Sequence, residues 1–387
     1  MNQTEGVPSG EVKWCTIMPL IQFDAEWAAS RYDFDYGVTV ARAGTELRRA
    51  IDRAADQPGE GLGPGYPFDW VLITRFRWVV TANFPTDTGG AEPEMQEWKT
   101  LHDAHWAIAE SFILALNLMR LTPALVASAV EAHLRFAEGG VEILETGQLY
   151  STYDTDALVL SPVYGPSALP GFERRPCYGD GVAFDHSELQ VLAAIWPRVA
   201  KLNHLPGLAE DVAPEDFGVF YGHQVRDAAS TTRLGRAMKC FGSGIYLPRT
   251  PAFLLMCLAL ENLYTTDNTA LADKIATRLA LIVGSDEDYN GRVELFRDAK
   301  ELYEQRNRIV HGKGLLPSDD PFLPRAILLA QRSLQRILGD ARLYSLFADE
   351  DRVNQCEKRL GDFYKVLSLG SPRDVAAFLE RLGVDGQ

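Results

Sequence analysis

Apolar and polar positions follow different periods in the two halves of the chain. The segment WVLITRFRWVVTANF at 70–84 is rich in Val, Ile, Trp and Phe with partial alternation, which predicts a strand. HLRFAEGGVEILE at 133–145 predicts a hairpin that turns at Gly139 and Gly140. Between these segments, residues 95–120 repeat apolar positions at helical spacing. The first half is therefore expected to mix strands and helices.

A stretch rich in Gly and Pro at 161–182 has the composition of a domain boundary. After it, apolar positions recur at helical spacing almost without strand signals. Helices are predicted near 187–203, 214–241, 251–265, 270–283, 291–311, 324–338, 340–368 and 372–382. The predicted fold class is α+β: a mixed α/β N-terminal module of unknown role at 1–183, followed by an all-α helical domain at 184–387.

Charge is distributed unevenly along the 387 residues. The net charge is −15, of which −12 falls in residues 1–180 and −3 in the remainder. So acidic a chain is not expected to wrap a polyanion passively. The near-neutral second half leaves room for a local basic patch.

Cysteine usage and the N-terminus bear on the compartment. The five cysteines form no CxxC pair, which argues against a zinc ribbon or a disulfide scaffold. The first 20 residues lack the basic start and apolar stretch of a signal peptide. The longest apolar run, at 253–260, is far short of the ~20 residues that span a bilayer. We therefore expect a cytoplasmic protein with no membrane contact.

The segment ELYEQRNRIVHGKG at 301–314 places a cation in an apolar stripe. The stripe follows steps of three and four residues, so its members share one helical face: Val293, Phe296, Lys300 by its aliphatic stem, Tyr303, Arg306 and Val310. A buried arginine needs a charged partner. Glu261 is the only charged residue in the apolar run 251–264, so we expect an ion pair between Glu261 and Arg306.

The end of this helix carries two further polar groups. Asn307 and His311 are four residues apart and project from one face, whereas Arg306 and His311 are about 140° apart on an ideal helix. Gly312 and Gly314 are the residue type that ends helices. His311 is therefore predicted at a helix end, where the helix dipole favours a cation.

Arg306 and Asn307, followed by His311 and Gly312, resemble the motif of the HEPN superfamily. The resemblance is to the Apea-like branch, and it extends over about 230–345. It includes Leu260, Glu261, Asn262 and Leu263, which match a Leu-Glu-x-Leu helix, and Tyr303, three residues before the arginine. Residues 1–180 resemble no family. The resemblance implies that the helical domain has the HEPN-type fold.

The resemblance also implies metal-independent endoribonuclease activity, without a cofactor, in a homodimer or higher homo-oligomer. The RNA 2′-OH would attack the adjacent phosphate, with Arg306, Asn307 and His311 as catalytic residues and with Glu261 and Tyr303 in support. Such domains often belong to toxin or anti-phage systems, so a phage-derived trigger or an antitoxin is a possible partner. The alternative is a non-catalytic HEPN protein that binds RNA or a partner.

Other motifs have two readings each. Five cations are candidates for RNA contact, and solvated surface is the alternative for the three on the 324–338 helix: Arg308, Lys313, Arg325, Arg332 and Arg336. Arg306 could serve only in an ion pair, Asn307 only as solvated surface and His311 only as a helix cap.

His102 and His105 lack a third metal ligand and are expected in a core or interface. The Gly-rich 59–67 is expected to be a loop.

Overall fold

The computed structural model describes these residues, and the description below concerns them alone: 11–21, 23–44, 68–79, 108, 111–112, 114–119, 130–136, 142–143, 149–150, 158–162, 182–203, 232–245, 247–266, 269–285, 287–316, 321–348 and 353–384. They fall into two compact units. Unit 1 comprises 1–117 and 122–226, and unit 2 comprises 118–121 and 227–387.

Unit 1 is built on an antiparallel sheet. Its strands, with those of two smaller sheets, are β1 Glu11–Ile21, β2 Phe23–Ala25, β3 Arg31–Phe34, β4 Val38–Arg42, β5 Phe68–Val79, β6 Val130–Phe136, β7 Glu142–Ile143, β8 Leu149–Tyr150, β9 Leu158–Pro162 and β10 Val182–Phe184. The large sheet has the order β3-β4-β5-β1-β6-β9. The strand predicted at 70–84 corresponds to β5.

The hairpin predicted at 133–145 is wrong. Strand β6 pairs with β1 and β9, whereas β7 pairs with β8 in a separate sheet. The segment carries a strand pattern on each side of two glycines, and that pattern is local. The partner of β6 is β1, more than 100 residues earlier, which no local pattern specifies.

The boundary between the units lies later than the predicted 183/184. Helix α1, His186–Leu202, belongs to unit 1. Its Trp196 donates from Nε1 to the carbonyl oxygen of Asp35 at 2.7 Å, and its ring contacts that of Phe112. Trp27 donates to the carbonyl oxygen of Asp185 at 3.0 Å, just before α1 begins. These tryptophans place the helix in unit 1 because their buried N–H groups need acceptors there.

In unit 2 the described residues outside turns are helical, as the sequence predicts for this half. The helices are α2 Arg233–Gly244, α3 Arg249–Tyr264, α4 Leu271–Val283, α5 Tyr289–Val310, α6 Phe322–Gly339, α7 Ala341–Ala348, α8 Val353–Leu369 and α9 Pro372–Val384. The single helix predicted at 340–368 is wrong, because α7 and α8 are separate.

No described helix is both long and apolar enough to cross a bilayer.

Helix α3 is the core element of unit 2. It is apolar around most of its circumference and packs against α2, α4, α5 and α6. Phe253, Met256, Leu260 and Leu263 have no more than 3% of their surface exposed. A helix that is apolar on all sides must be surrounded, which explains its central position. It carries Glu261 into the packed region beside α5.

Candidate functional site

The C-terminal end of α3 is held by side chains from three other helices. Arg233 of α2 donates to the carbonyl oxygens of residues 262 and 265, and Arg278 of α4 donates to that of residue 264. Tyr364 of α8 donates to the carbonyl oxygen of residue 263. The last carbonyls of a helix lack partners within it, so cationic donors there are favourable. These bonds fix the turn of α3 that contains Glu261.

Helix α5 turns Arg306 towards α3. The side chains of α5 with the least exposure are Leu295, Ala299, Leu302 and Tyr303. Arg306 lies in line with the first three at steps of four and three residues, so it points into the packed face as predicted. The predicted apolar stripe is only partly correct. Val293 and Phe296 are only partly buried, and Val310 is 53% exposed.

The predicted ion pair between Glu261 and Arg306 is present. Arg306 Nη2 lies 3.0 Å from Glu261 Oε1, and the Tyr303 hydroxyl donates to the same oxygen at 3.0 Å. The guanidinium also lies against the Tyr303 ring, with Cζ 5.3 Å from the ring centroid. The side chains of Arg306 and Glu261 are 25% and 17% exposed, so the pair lies at the edge of the core and reaches solvent.

Two ionisable groups beside the pair are held in their neutral forms. Burial raises the pKa of the Tyr303 hydroxyl, and the adjacent Glu261 carboxylate raises it further. The Cys257 thiol, one turn before Glu261, has its pKa raised by the same two causes in the same order. Tyr303 therefore remains a hydrogen-bond donor to Glu261 at any working pH.

Arg306 has N–H groups that donate to no described residue. Its Nη1 donates to Asn307 Oδ1 at 3.2 Å and its Nη2 faces Glu261, while no other described residue accepts from it. A guanidinium has five N–H donors in a rigid fork. Asn307 likewise uses its oxygen for Arg306 and leaves its amide hydrogens available. An oriented guanidinium with open donors suits a phosphate group.

Helix α5 ends at Val310, and His311 is its C-cap residue. The backbone N–H of Gly312 donates to the Ile309 oxygen and that of Lys313 to the Arg308 oxygen, both at 2.9 Å. Gly312 has φ +73°, the left-handed value that this type of helix end requires. The predicted end of the helix is thus confirmed. The His311 side chain is exposed, and its imidazole bonds to no described residue.

The predicted RNA-contacting cations fall into two groups. Arg308 and Lys313 flank His311, are exposed and form no ion pair with a described residue. Arg325 instead pairs with Asp298 at 3.0 Å and with Glu301 at 3.1 Å. The first group is open to an external anion.

Arg332 and Arg336 resemble Arg325 in being engaged by the protein. Arg332 pairs with Glu287 at 2.8 Å, and Arg336 is partly buried with its Nε enclosed. The predicted row of solvent-facing cations on α6 is therefore not what the structure contains. Side chains from α5 and the turn before it supply carboxylates that the α6 pattern alone does not reveal. The arrangement lends no support to phosphate contact by these three arginines.

Sequence reasoning did not single out Arg236 and Lys239 of α2. Arg236 Nε donates to Asn262 Oδ1 at 3.1 Å, beside Glu261, and Lys239 is exposed. A signal for them exists in the sequence, since α2 carries three cations and no acidic residue in a chain of net charge −15. Their position beside Glu261 depends on how α2 packs on α3.

His102, His105 and the loop predicted at 59–67 lie outside the described residues.

Comparison of the chain with known protein families, with characterised proteins and with solved structures finds no match.

Proposed function

We propose that unit 2 is a HEPN-type domain and that the chain is a metal-independent endoribonuclease. The observation that carries the proposal is the state of Arg306: Glu261 and Tyr303 fix its orientation, while its remaining donors reach solvent within two turns of an unbonded imidazole. A phosphate-binding cation beside a proton-transfer group is the minimum that cleavage by the RNA 2′-OH needs.

Each group has a distinct task in this reaction. The His311 imidazole removes the proton from the 2′-OH or delivers one to the departing 5′-oxygen, because an imidazole can both accept and donate a proton. The 2′-oxygen forms a bond to phosphorus as the bond to the 5′-oxygen breaks, which leaves a 2′,3′-cyclic phosphate and a 5′-hydroxyl. Arg306 stabilises the extra negative charge on the phosphorane. The amide of Asn307 orients the phosphate.

The site is shared between two chains in this proposal. Arg306 faces α3, whereas His311 is displaced by about 140° on an ideal helix and bonds to nothing described. A two-fold axis near the ends of two α5 helices would bring each His311 to the partner's site. Val310 and Leu315, exposed by 53% and 76%, flank His311 and give this end of the helix an apolar surface for contact.

We therefore expect a homodimer in solution. Light scattering at micromolar concentration should give twice the chain mass of 42.9 kDa. Leu315→Glu, which places a charge in the apolar contact, should shift the mass towards the monomer and reduce cleavage together with it. Leu328→Glu is the matched control, because Leu328 is also exposed, by 52%, but lies on α6. A strictly monomeric chain with full ribonuclease activity would rule out the shared site.

We expect cleavage in the absence of metal ions. The residues proposed to act are an arginine, an amide and an imidazole, none of which needs a metal ion for its task. The purified chain should degrade total RNA in EDTA at the rate seen in magnesium. Activity that disappears in EDTA and returns with magnesium would contradict the proposal.

A second candidate function, non-catalytic binding of RNA or of a protein partner, is favoured by one observation. The contacts of Arg306 with Glu261 and Tyr303 are those of a structural cation between two helices. Under that function, RNA would bind in the same assay without being cut. The proposed biological setting is a cytoplasmic toxin or anti-phage effector, in which unit 1 senses a phage-derived trigger or binds an antitoxin.

A further inference from the structure

The side of α5 that faces away from its buried residues carries a shallow groove. The groove has a volume of about 310 Å³, and its described lining residues all lie on α5: Val293, Phe296, Arg297, Lys300, Glu301 and Glu304. They follow steps of three and four residues and so share one helical face. Val293 and Phe296 are partly exposed in it. The opposite face of α5, with Leu295 and Leu302, is the one that is buried.

Two of the four charges in the groove are engaged within the chain, and two are not. Lys300 pairs with an aspartate of α4 at 2.9 Å, and Glu301 pairs with an arginine of α6 at 3.1 Å. The paired aspartate raises the pKa of Lys300, and Glu304 adds a smaller effect. Arg297 and Glu304 are exposed, and neither forms a hydrogen bond or an ion pair with a described residue. The face therefore presents one open cation and one open anion.

The charges on this face change sign about one point along the helix. Arg297 and Lys300 precede the midpoint between residues 300 and 301, and Glu301 and Glu304 follow it at the same distances. A second α5 related by a two-fold axis through that midpoint would run antiparallel to the first. Each Arg297 would then face the partner's Glu304. A surface that meets itself across a two-fold axis has to be complementary to itself, and this order of charges meets that condition.

We propose that this face of α5 binds the same face of a second copy of the chain. Arg297 and Glu304 pair on each side of the two-fold axis, and Val293 and Phe296 supply apolar contact. The contact is centred about 15 Å from His311, at 1.5 Å of rise per residue. It is therefore separate from the contact proposed at the end of α5, and it does not depend on RNA cleavage. One face of a single helix is a small interface, so the association is weak and adds to any dimer formed elsewhere.

The test is the mass of the full chain, measured by light scattering from micromolar to roughly 300 μM, the range in which weak contacts are populated. The mass of the parent chain should at least double over this range. Arg297→Glu and Glu304→Arg each place like charges opposite one another twice in every contact. Each should weaken the association roughly 10- to 30-fold.

A mixture of the two variants gives the sharpest result. Every pair between an Arg297→Glu chain and a Glu304→Arg chain has opposite signs, so an equal mixture should associate as the parent does. The matched controls are Arg373→Glu and Glu380→Arg on α9, where two exposed residues have the same charges and the same spacing. Both controls should also associate as the parent does, and equal melting temperatures show that all variants are folded.

Three results would overturn the proposal. The first is a parent chain whose mass does not rise with concentration. The second is association of the Arg297→Glu or Glu304→Arg chain at the strength of the parent. The third is loss of association in both variants without recovery in their mixture, because the face would then bind something other than itself.

Discussion

Replacement of His311 by alanine is expected to lower the rate of RNA cleavage by ~10²–10⁴-fold, the usual contribution of a positioned acid or base. The fold should not change. Residue 311 caps the C-terminus of α5 at φ −85° and ψ 15°, which alanine adopts without strain, and the side chain is exposed and bonds to no described residue. Cleavage of a defined oligoribonucleotide, measured with the melting temperature of each variant, checks both parts.

His186→Ala is the matched control for this prediction. His186 is an exposed histidine at the start of α1 and belongs to unit 1, so its replacement changes the histidine content without altering a residue of unit 2. The control should cleave at the parent rate. If His311→Ala also cleaves at the parent rate, His311 serves only as the end of the helix and the catalytic proposal fails.

Replacement of Glu261 by alanine is expected to destabilise unit 2 by about 3 kcal/mol, the lower end of the cost of breaking a buried ion pair. The lower end applies because Arg306 and Glu261 are 25% and 17% exposed, so water replaces part of the lost interaction. Both Arg306 Nη2 and the Tyr303 hydroxyl lose their acceptor. For a unit of this size the melting temperature should fall by roughly 6–12 °C.

Glu294→Ala is the control, because Glu294 is an exposed carboxylate on the neighbouring helix α5. Its melting temperature should stay within about 1–2 °C of the parent value, as expected for a surface substitution. The double variant of Glu261 and Arg306 should recover part of the loss, since neither partner then remains uncompensated. An unchanged melting temperature for Glu261→Ala would show that the pair contributes nothing to stability.

The helices of unit 2 could be predicted closely because their signals are local. The predicted 270–283 and 324–338 differ from α4 and α6 by no more than two residues at either end. The division between α7 and α8 was missed, although Asp349, Glu350 and Asp351 interrupt the apolar pattern there. The sheet of unit 1 could not be predicted in the same way, because the pairing of β1 with β6 joins distant segments.

The same difference between local signals and contacts made by packing applies to the candidate site. The pair between Glu261 and Arg306 was predictable because Glu261 is the only charged residue in its apolar run and Arg306 lies in an apolar stripe, so each needs a charged partner. The position of Arg236 was not, because an arginine on an amphipathic helix looks the same whether it faces water or a neighbouring amide. The carboxylate partners of Arg325 and Arg332 were missed for the same reason, since they depend on packing between helices.

The chemical nature of the new RNA ends tests the central claim most directly. The purified parent chain is incubated in EDTA with an oligoribonucleotide, and the mass of each product is measured. Attack by the 2′-OH predicts a 2′,3′-cyclic phosphate or its opened 3′-phosphate on one product and a 5′-hydroxyl on the other, and all of these ends should form far more slowly in His311→Ala. A 3′-hydroxyl with a 5′-phosphate, or intact RNA, would contradict the assignment of His311 and Arg306 to this reaction.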